Sequence, residues 1–409
     1  MLYYEWKKIW VRPGTKTAML ILGCLLALVC FFAVRNVYYV NENGDSEYGI
    51  EAVGKLKAAK KEWSGVLTEE VIAEVISENR RIKATEEGQS DDIRQSNIAY
   101  GWGQGFQDIR WMLMYSFCRF REGDYFKPDR LVPEDAASFY GNRLMRLQEW
   151  LEEDEQEYLF SEAERAFLIE RYAALQTPFV YDYADGWKQI FEQSSTIIMI
   201  MMLVLGFTAA GIFAGEFSYK ADAVFYASYH GRGRAAAAKI GAGFLFITAV
   251  YFAVMFLYTV ILLTILGADG AGLVIQTNRI GWKSFYLLTN IQEYWLILFG
   301  GYIGTLFCML LTMLVSAITK TKTLAAALPF VLLFLPGFLN RGAGRLMTKI
   351  IGLLPDRLLD VAKEVSIFDL YQAGGKVVGA LPIIFVLYTA LSAALCPLLY
   401  QVYRKKEAG

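Results

Sequence analysis

Residues 17–34, TAMLILGCLLALVCFFAV, form a run of eighteen residues without a charge. A helix of this length crosses roughly 27 Å at about 1.5 Å per residue, close to the hydrocarbon thickness of a bilayer. A cleaved signal peptide is the competing interpretation, but the run is longer than a signal core and ends in Phe31-Phe32 rather than at a small-residue cleavage site. The run therefore predicts an uncleaved first membrane helix, TM1 (17–34), with the N-terminus in the cytoplasm.

Five further apolar blocks predict TM2 (194–215), TM3 (236–266), TM4 (294–318), TM5 (323–339) and TM6 (377–400). Six spans return the C-terminal tail (401–409) to the cytoplasm. The cytoplasmic segments so defined (1–16, 216–235, 319–322 and 401–409), together with Lys239 at the edge of TM3, hold thirteen basic residues against four acidic ones, which supports this orientation. Arg341, Arg345 and Lys349 oppose it, because they follow TM5 on the outer side. We expect a multi-pass protein of a bacterial plasma membrane.

The long segment between TM1 and TM2 (35–193) is polar and acidic. It holds 31 acidic and 19 basic residues, a net charge of -12, so the rest of the chain sums to +11. Within it, residues 65–84 place Val71, Ile72, Val75 and Ile76 on one helical face. The sequence thus predicts an all-α integral membrane protein of six transmembrane helices with a large, mainly helical extracytoplasmic domain. That domain either binds a substrate or partner, or braces the membrane helices.

Three shorter segments complete the predicted topology. Residues 1–16 set apolar side chains on one face and Lys7 and Lys8 on another, which predicts a cytoplasmic interfacial helix. Residues 267–293 form an outer loop. In 340–376, apolar residues recur at helical spacing around Pro355, which predicts outer interfacial helices. These either cap a translocation path or cover the ends of the spans.

The motifs that mark common hydrolase and metal sites are missing. His230 is the only histidine, and the sequence has no HExxH, paired CxxC or GxSxG motif, so neither a catalytic site nor a metal or cofactor site is predicted. Cys118 is the only cysteine of the outer domain, which excludes a disulfide within that domain. Nothing indicates nucleic-acid binding.

Missing residues and motifs also limit which energy source could drive transport by this chain. The predicted spans contain no ionisable residue, with Lys239 only at an edge, which disfavours coupling to an ion gradient. The chain also lacks a GxxxxGK[ST] loop; Gly374-Gly375-Lys376 has neither the upstream glycine nor the hydroxyl residue. If ATP drives this protein, a separate subunit must hydrolyse it.

One segment, residues 215–244 (GEFSYKADAVFYASYHGRGRAAAAKIGAGF), carries a resemblance. It resembles the type-2 ABC exporter permeases, in which a glutamate ends the second helix, an amphipathic coupling helix follows, and a Gly-Arg pair leads to a lysine that opens the third helix. The matching positions are Glu216, the helix 221–228, Gly231-Arg232 and Lys239. The resemblance implies partner ATPase subunits that carry ATP and Mg²⁺, and a second copy of this permease or a related one.

The residues of the same segment favour a partner-binding surface. Phe225 and Tyr229 present aromatic side chains on a short helix, suited to insertion in a groove of a partner. Arg232, Arg234 and Lys239 are expected to face lipid head groups or the acidic rim of that partner. An ordinary positively charged loop is the alternative.

Gly300 and Gly304 stand four residues apart in TM4, a spacing that allows close helix approach in a dimer or within the bundle. Because glycine is frequent in membrane helices, the spacing also arises without a packing role.

The leading hypothesis is therefore a permease subunit of an ABC exporter that moves a hydrophobic or peptide-like solute. The alternative is a membrane-anchored sensor or assembly scaffold whose outer domain binds a ligand. A channel without an ATPase is a third possibility.

Overall fold

The computed structural model describes residues 1–153, 156, 159–218, 233–339 and 344–405. Helices make up 75% of it. They are α1 Leu2–Val11, α2 Pro13–Arg35, α3 Ile50–Lys61, α4 Glu69–Lys83, α5 Glu86–Gln89, α6 Ile93–Gly103, α7 Gln107–Phe117, α8 Phe139–Leu151, α9 Glu162–Ala173, α10 Asp185–Ser218, α11 Arg234–Leu266, α12 Asn290–Thr319, α13 Lys322–Phe334, α14 Arg345–Ile351, α15 Val361–Glu364 and α16 Ala380–Arg404.

Three antiparallel strand pairs accompany the helices. Strands β1 (Tyr38–Val40) and β2 (Ser46–Tyr48) pair just after α2, and β3 (Gly65–Val66) pairs with β4 (Val180–Tyr181) within the outer domain. Strands β5 (Leu370–Ala373) and β6 (Lys376–Gly379) form a hairpin directly before α16. The protein is thus predominantly helical, as the sequence predicts, with short hairpins at the connections.

Five of the described helices are long and apolar enough to cross a membrane: α2, α10, α11, α12 and α16. These five helices indicate a membrane-embedded, multi-pass protein. Four of the predicted spans, TM1 to TM4, lie within α2, α10, α11 and α12.

The predicted TM5 (323–339) is a shorter element. Helix α13 has thirteen residues and ends at Phe334, and a 3-10 turn, Leu335–Phe338, follows. Its helical part covers roughly 20 Å, less than the roughly 30 Å of a bilayer core. Pro336 explains the early end, because proline lacks the N–H group of a continuing helix and restricts the residue before it.

The predicted start of TM6 at residue 377 is wrong by three residues. Val377 and Val378 belong to β6 and pair with Gln372 and Tyr371 of β5. The hairpin forms because its two turn residues, Gly374 and Gly375, have φ of 58° and 78°, a left-handed conformation that favours glycine. Helix α16 begins only after this hairpin.

Helices α2, α11, α12 and α13 pack against α10, and α16 packs mainly against α12. Hydrogen bonds define two ends of this bundle. At one end, which we call the domain end, Tyr183 just before α10 donates to the carbonyl of Leu266, the last residue of α11. At the other, which we call the loop end, the last turns of α10 and α16 meet the second turn of α11. The polar segment 35–193, which we call the outer domain after its predicted location, lies at the domain end, and the chain passes from α10 to α11 through residues 219–232 at the loop end.

The outer domain shares two hydrophobic cores with the connections between membrane helices. Ile72, Val75 and Ile76 are fully buried in the first, as the helical pattern of residues 65–84 predicts, and Trp282, between α11 and α12, belongs to the same core. In the second, Trp150 of α8 packs against Phe368, which lies between α15 and β5. The domain is therefore packed onto the outer connections rather than tethered by its two chain ends alone.

Gly300 and Gly304 pack against a segment of the same chain. A Cβ atom at Gly300 would lie 2.6 Å from the side chain of Val361, and one at Gly304 would lie 3.0 Å from Leu358. Leu358 lies in the 3-10 helix Pro355–Leu359, and both Leu358 and Val361 are buried in the main core of the bundle. This part of the predicted outer interfacial segment (340–376) thus fills the bundle beside α12 instead of covering its ends.

Candidate functional site

Two of the residues singled out from the sequence form a buried ion pair at the loop end. Glu216, near the end of α10, is 3% exposed, and Lys239, in the second turn of α11, is fully buried. The Lys239 Nζ atom donates to Oε1 of Glu216 over 2.5 Å. Helix α11 opens with small alanines, of which Ala235 and Ala236 are buried, so the two helices approach closely enough for this contact.

Three further residues, Glu5, Lys8 and Tyr403, contact this ion pair. We call the five residues Glu5, Lys8, Glu216, Lys239 and Tyr403 the loop-end cluster. Lys8 of α1 donates to Oε1 of Glu216 at 2.6 Å, and Lys239 donates to Glu5 at 2.8 Å. Tyr403 of α16 donates to Oε2 of Glu216 at 3.3 Å. Within the part of the chain that the structure describes, two carboxylates face two ammonium groups and each charge has a partner of opposite sign, which is what burial of Glu216 and Lys239 requires. The cluster joins α1, α10, α11 and α16.

Helix α1 is anchored in the bundle by more than these charges. Ile9 is 2% exposed, and the Trp10 ring packs edge-on against Phe246 of α11 with 4.9 Å between centroids. Just after α1, Arg12 donates to the carbonyl of Gly211 over 2.8 Å. Tyr4 on the opposite face is 74% exposed. One side of the predicted interfacial helix is thus part of the protein core.

The expectation that Lys239 faces lipid head groups or a partner is wrong, because its whole side chain is buried against Glu216 and Glu5. The other predicted coupling residues, Phe225, Tyr229, Gly231 and Arg232, lie outside the described residues, so their role stays a prediction.

Sequence reasoning missed Glu5, Lys8 and Tyr403 as members of the cluster. The position of these residues in the predicted topology is the signal that could have found them. All three lie in predicted cytoplasmic segments, on the same side as Glu216, and charges brought to one membrane surface by apolar helices tend to pair there.

A second charged network lies at the domain end and joins the outer domain to α10. Lys60 of α3 is 2.7 Å from Asp185 and 3.0 Å from Asp108 of α7. Lys188 of α10 is 2.5 Å from Asp108, and Tyr181 donates to the same carboxylate at 3.0 Å. We call these five residues the domain-end network. They are wholly or largely buried, so the domain is held to the first turn of α10 by paired charges.

The pKa values of two members show how strongly these charges are coupled. Burial alone would raise the pKa of Asp108, but the positive charges of Lys188 and Lys60 hold it well below its usual range. Burial alone would lower the pKa of Lys60, but the charges of Asp108 and Asp185 hold it above its usual value. Both groups are therefore ionised at neutral pH.

Helix α10 connects the two charged sites without a break. It runs from Asp185 in the domain-end network to Glu216 in the loop-end cluster, roughly 45 Å at about 1.5 Å per residue. A rigid helix of this length is suited to carry a displacement from one membrane surface to the other.

Among the residues that the structure describes, no three His, Cys, Asp or Glu side chains lie close enough together to hold a metal ion. Neither a scan against protein-family models nor a search of curated proteins gives a match for this chain. Fold and sites together define a membrane-embedded, multi-pass helical protein whose outer domain is joined to its membrane helices.

Proposed function

We propose that this chain is the membrane-spanning permease subunit of an ABC exporter, paired with ATPase subunits that hydrolyse ATP and with a second permease. In this proposal α13 crosses the membrane as TM5 and brings the number of spans to six. Both termini and the segment 219–232 lie in the cytoplasm of a bacterium. The cargo is a hydrophobic or peptide-like solute.

The observation that carries the proposal is the loop-end cluster. Segment 219–232 connects α10 to α11, and Glu216 and Lys239 near its two ends are bonded to each other and to α1 and α16. Separating these helices would leave a buried charge without its partner, which typically costs 3–5 kcal/mol. A force that an ATPase applies to this segment would therefore move four helices as one body.

The domain-end network supports a further part of the proposal, the transmission of movement from the loop end to the outer domain. Because α10 is continuous, a shift at Glu216 is transmitted to Asp185 and, through Lys60 and Asp108, to the outer domain. Alternating access needs such a link between the surface where ATP is used and the surface where the solute leaves.

The test is recruitment of the ATPase. Phe225→Asp and Tyr229→Asp are expected to abolish co-purification of an ATP-binding subunit from native membranes, because a charge cannot enter an apolar groove unpaired. Phe126→Asp is the matched control: it places the same charge at an aromatic residue of the outer domain that is 62% exposed. Membrane insertion and detergent-extracted yield should be equal in all three variants. Undiminished co-purification with Phe225→Asp and Tyr229→Asp contradicts the proposal.

One observation favours the alternative, a sensor or scaffold. The outer domain contains a cavity of about 440 Å³, within the range of ligand pockets, lined in part by Asn79, Tyr100, Gln107, Arg110 and Tyr125. A native complex that holds a small-molecule ligand in this cavity and no ATP-binding subunit would favour this function over export.

A further inference from the structure

The cavity of about 440 Å³ in the outer domain is lined by basic, amide and aromatic side chains. It lies between α4, α6, α7 and strand β1. Lys83 and Arg110 both line it, whereas none of the described residues that line it is acidic. An anionic group is therefore the kind of group that this lining complements best.

Arg110 of α7 presents one unused donor to the cavity. Its side chain is 5% exposed, and its Nε atom donates to Asn79 over 3.1 Å. Nη2 donates to Asp129 over 2.8 Å and to the carbonyl of Tyr125 over 2.9 Å. The remaining nitrogen, Nη1, has no hydrogen-bond partner among the described residues, and it is not one of the atoms that packing seals off. A buried guanidinium that is fixed on one side and open on the other is suited to bind an oxyanion.

Two further side chains without a partner lie beside Arg110. Lys83 is partly buried at the end of α4, one turn after Asn79, the residue that holds Arg110. Gln107 is partly buried one turn before Arg110 on α7. Neither side chain has a hydrogen bond or an ion pair among the described residues. Asp129 compensates the charge of Arg110, so the charge of Lys83 leaves this part of the cavity positive.

Aromatic rings form much of the remaining lining. Tyr100 of α6 lines the cavity and stacks on Tyr38 of β1, with 6.3 Å between ring centroids and 24° between ring planes. Phe106, which is 1% exposed, also lines it. Such rings offer a flat apolar surface to another ring. The volume lies within the range of pockets that bury small organic ligands.

We propose that this cavity binds a small carboxylic acid that carries an aromatic ring, such as an N-acylated aromatic amino acid. The carboxylate accepts from Nη1 of Arg110 and Nζ of Lys83, and the ring packs beside Tyr100. Two donors match the two oxygens of a carboxylate, whereas a phosphate has three oxygens and more charge than one uncompensated cation balances. The amino group is acylated, because a free ammonium group would find no carboxylate among the described lining residues. This inference holds for an exporter subunit and for a sensor alike.

The first experiment is isothermal titration calorimetry of the full chain in lipid nanodiscs, with the heat from empty nanodiscs subtracted. The probes are N-acetyl-L-phenylalanine and its neutral amide, which have nearly the same shape. The acid should bind about 10-fold more tightly or better, because only the acid forms charge-assisted hydrogen bonds with the two cations. Equal affinity for the two probes, or no measurable binding of the acid, overturns the proposal. Tighter binding of phenyl phosphate than of the acid refutes the choice of a carboxylate.

A pair of lysine variants tests where the charge is recognised. Lys83→Gln should weaken binding of the acid about 10-fold and leave binding of the amide unchanged. Lys127→Gln is the matched control, because Lys127 is a partly buried lysine of the same domain that does not line the cavity. It should change the affinity for the acid by less than about 2-fold. Equal losses in the two variants refute the site, since the attraction is then diffuse.

Gln107→Glu separates loss of the site from loss of the fold. Gln107 is the first residue of α7, where a carboxylate is favourable, so the unfolding temperature should be unchanged. The new carboxylate lies one turn from Arg110 and competes for Nη1. Binding of the acid should weaken about 10-fold or more, whereas the neutral amide should lose less than about 3-fold. Equal weakening of both probes refutes the placement of the carboxylate beside Arg110.

Discussion

Lys239→Met should destabilise the protein strongly, although it places an apolar residue of similar length in a membrane protein. The variant removes a charge that lies 2.5 Å from Glu216 and 2.8 Å from Glu5 and leaves the buried carboxylate of Glu216 and the partly buried one of Glu5 without it. Loss of one member of a buried ion pair typically costs 3–5 kcal/mol. Lys8 still lies 2.6 Å from Glu216, so we expect the lower limit, about 3 kcal/mol.

The assay is equilibrium unfolding in mixed micelles, for Lys239→Met, Glu216→Gln and the double variant. In the double variant the remaining charges, Glu5 and Lys8, lie 4.0 Å apart and can pair with each other. Its loss should therefore be smaller than the sum of the single losses by about 1–3 kcal/mol. Lys55→Met is the matched control. Its pair with Glu47 has a similar Nζ–Oε2 distance, 2.8 Å, but both side chains are solvent-accessible, so its removal should leave stability nearly unchanged.

The reasoning is refuted if Lys239→Met unfolds within about 0.5 kcal/mol of the wild-type protein, the range of an ordinary surface substitution. Strict additivity in the double variant would likewise show that Glu216 and Lys239 do not depend on each other.

Three further perturbations test other parts of the structure. Asp108→Asn should lower the free energy of unfolding by about 3 kcal/mol. Because the pKa of Asp108 is lowered in the folded protein, the contribution of this carboxylate should fade as the pH falls below about 4. The stability of the variant should therefore change less with pH in this range than that of the wild-type protein. Gly300→Ala should cost about 1–3 kcal/mol through the clash with Val361, whereas Gly23→Ala, with open space around it, should be neutral or stabilising in the same unfolding assay. Burial and the nearby positive charge of Arg121 lower the pKa of Lys283 to about 8. Wild-type stability relative to Lys283→Met should therefore rise as the pH increases from about 8 to about 10, and a constant difference would contradict that pKa.

The sequence was most informative where composition alone decides. The eighteen uncharged residues 17–34 predict a membrane helix because the bilayer accepts such a run independently of what packs against it. Helix α2 contains that run. The helix ends earlier than the predicted TM5, and α16 starts later than the predicted TM6, where local backbone chemistry overrides apolar composition, at Pro336 and at the turn of Gly374-Gly375.

The sequence identified some residues of the candidate site but not the contacts between them. Glu216 and Lys239 were recognised from a local pattern, but their pairing and their burial were not. Gly300 was recognised as a packing residue without its partner, which follows 61 residues later at Val361. A local pattern specifies residue type and spacing, whereas a partner depends on which helices become neighbours.

The amino-acid sequence by itself determined that long apolar helices enter a membrane and that a large acidic helical domain stays outside it. Both follow from the cost of transferring each segment between water and lipid, which depends on local composition. Only the tertiary structure decided that Lys8 and Glu216, 208 residues apart, share one charge cluster, and that Lys60 joins the outer domain to α10. Such contacts arise from the packing of whole helices, because a buried charge is stable only where the fold brings its partner within a few ångströms.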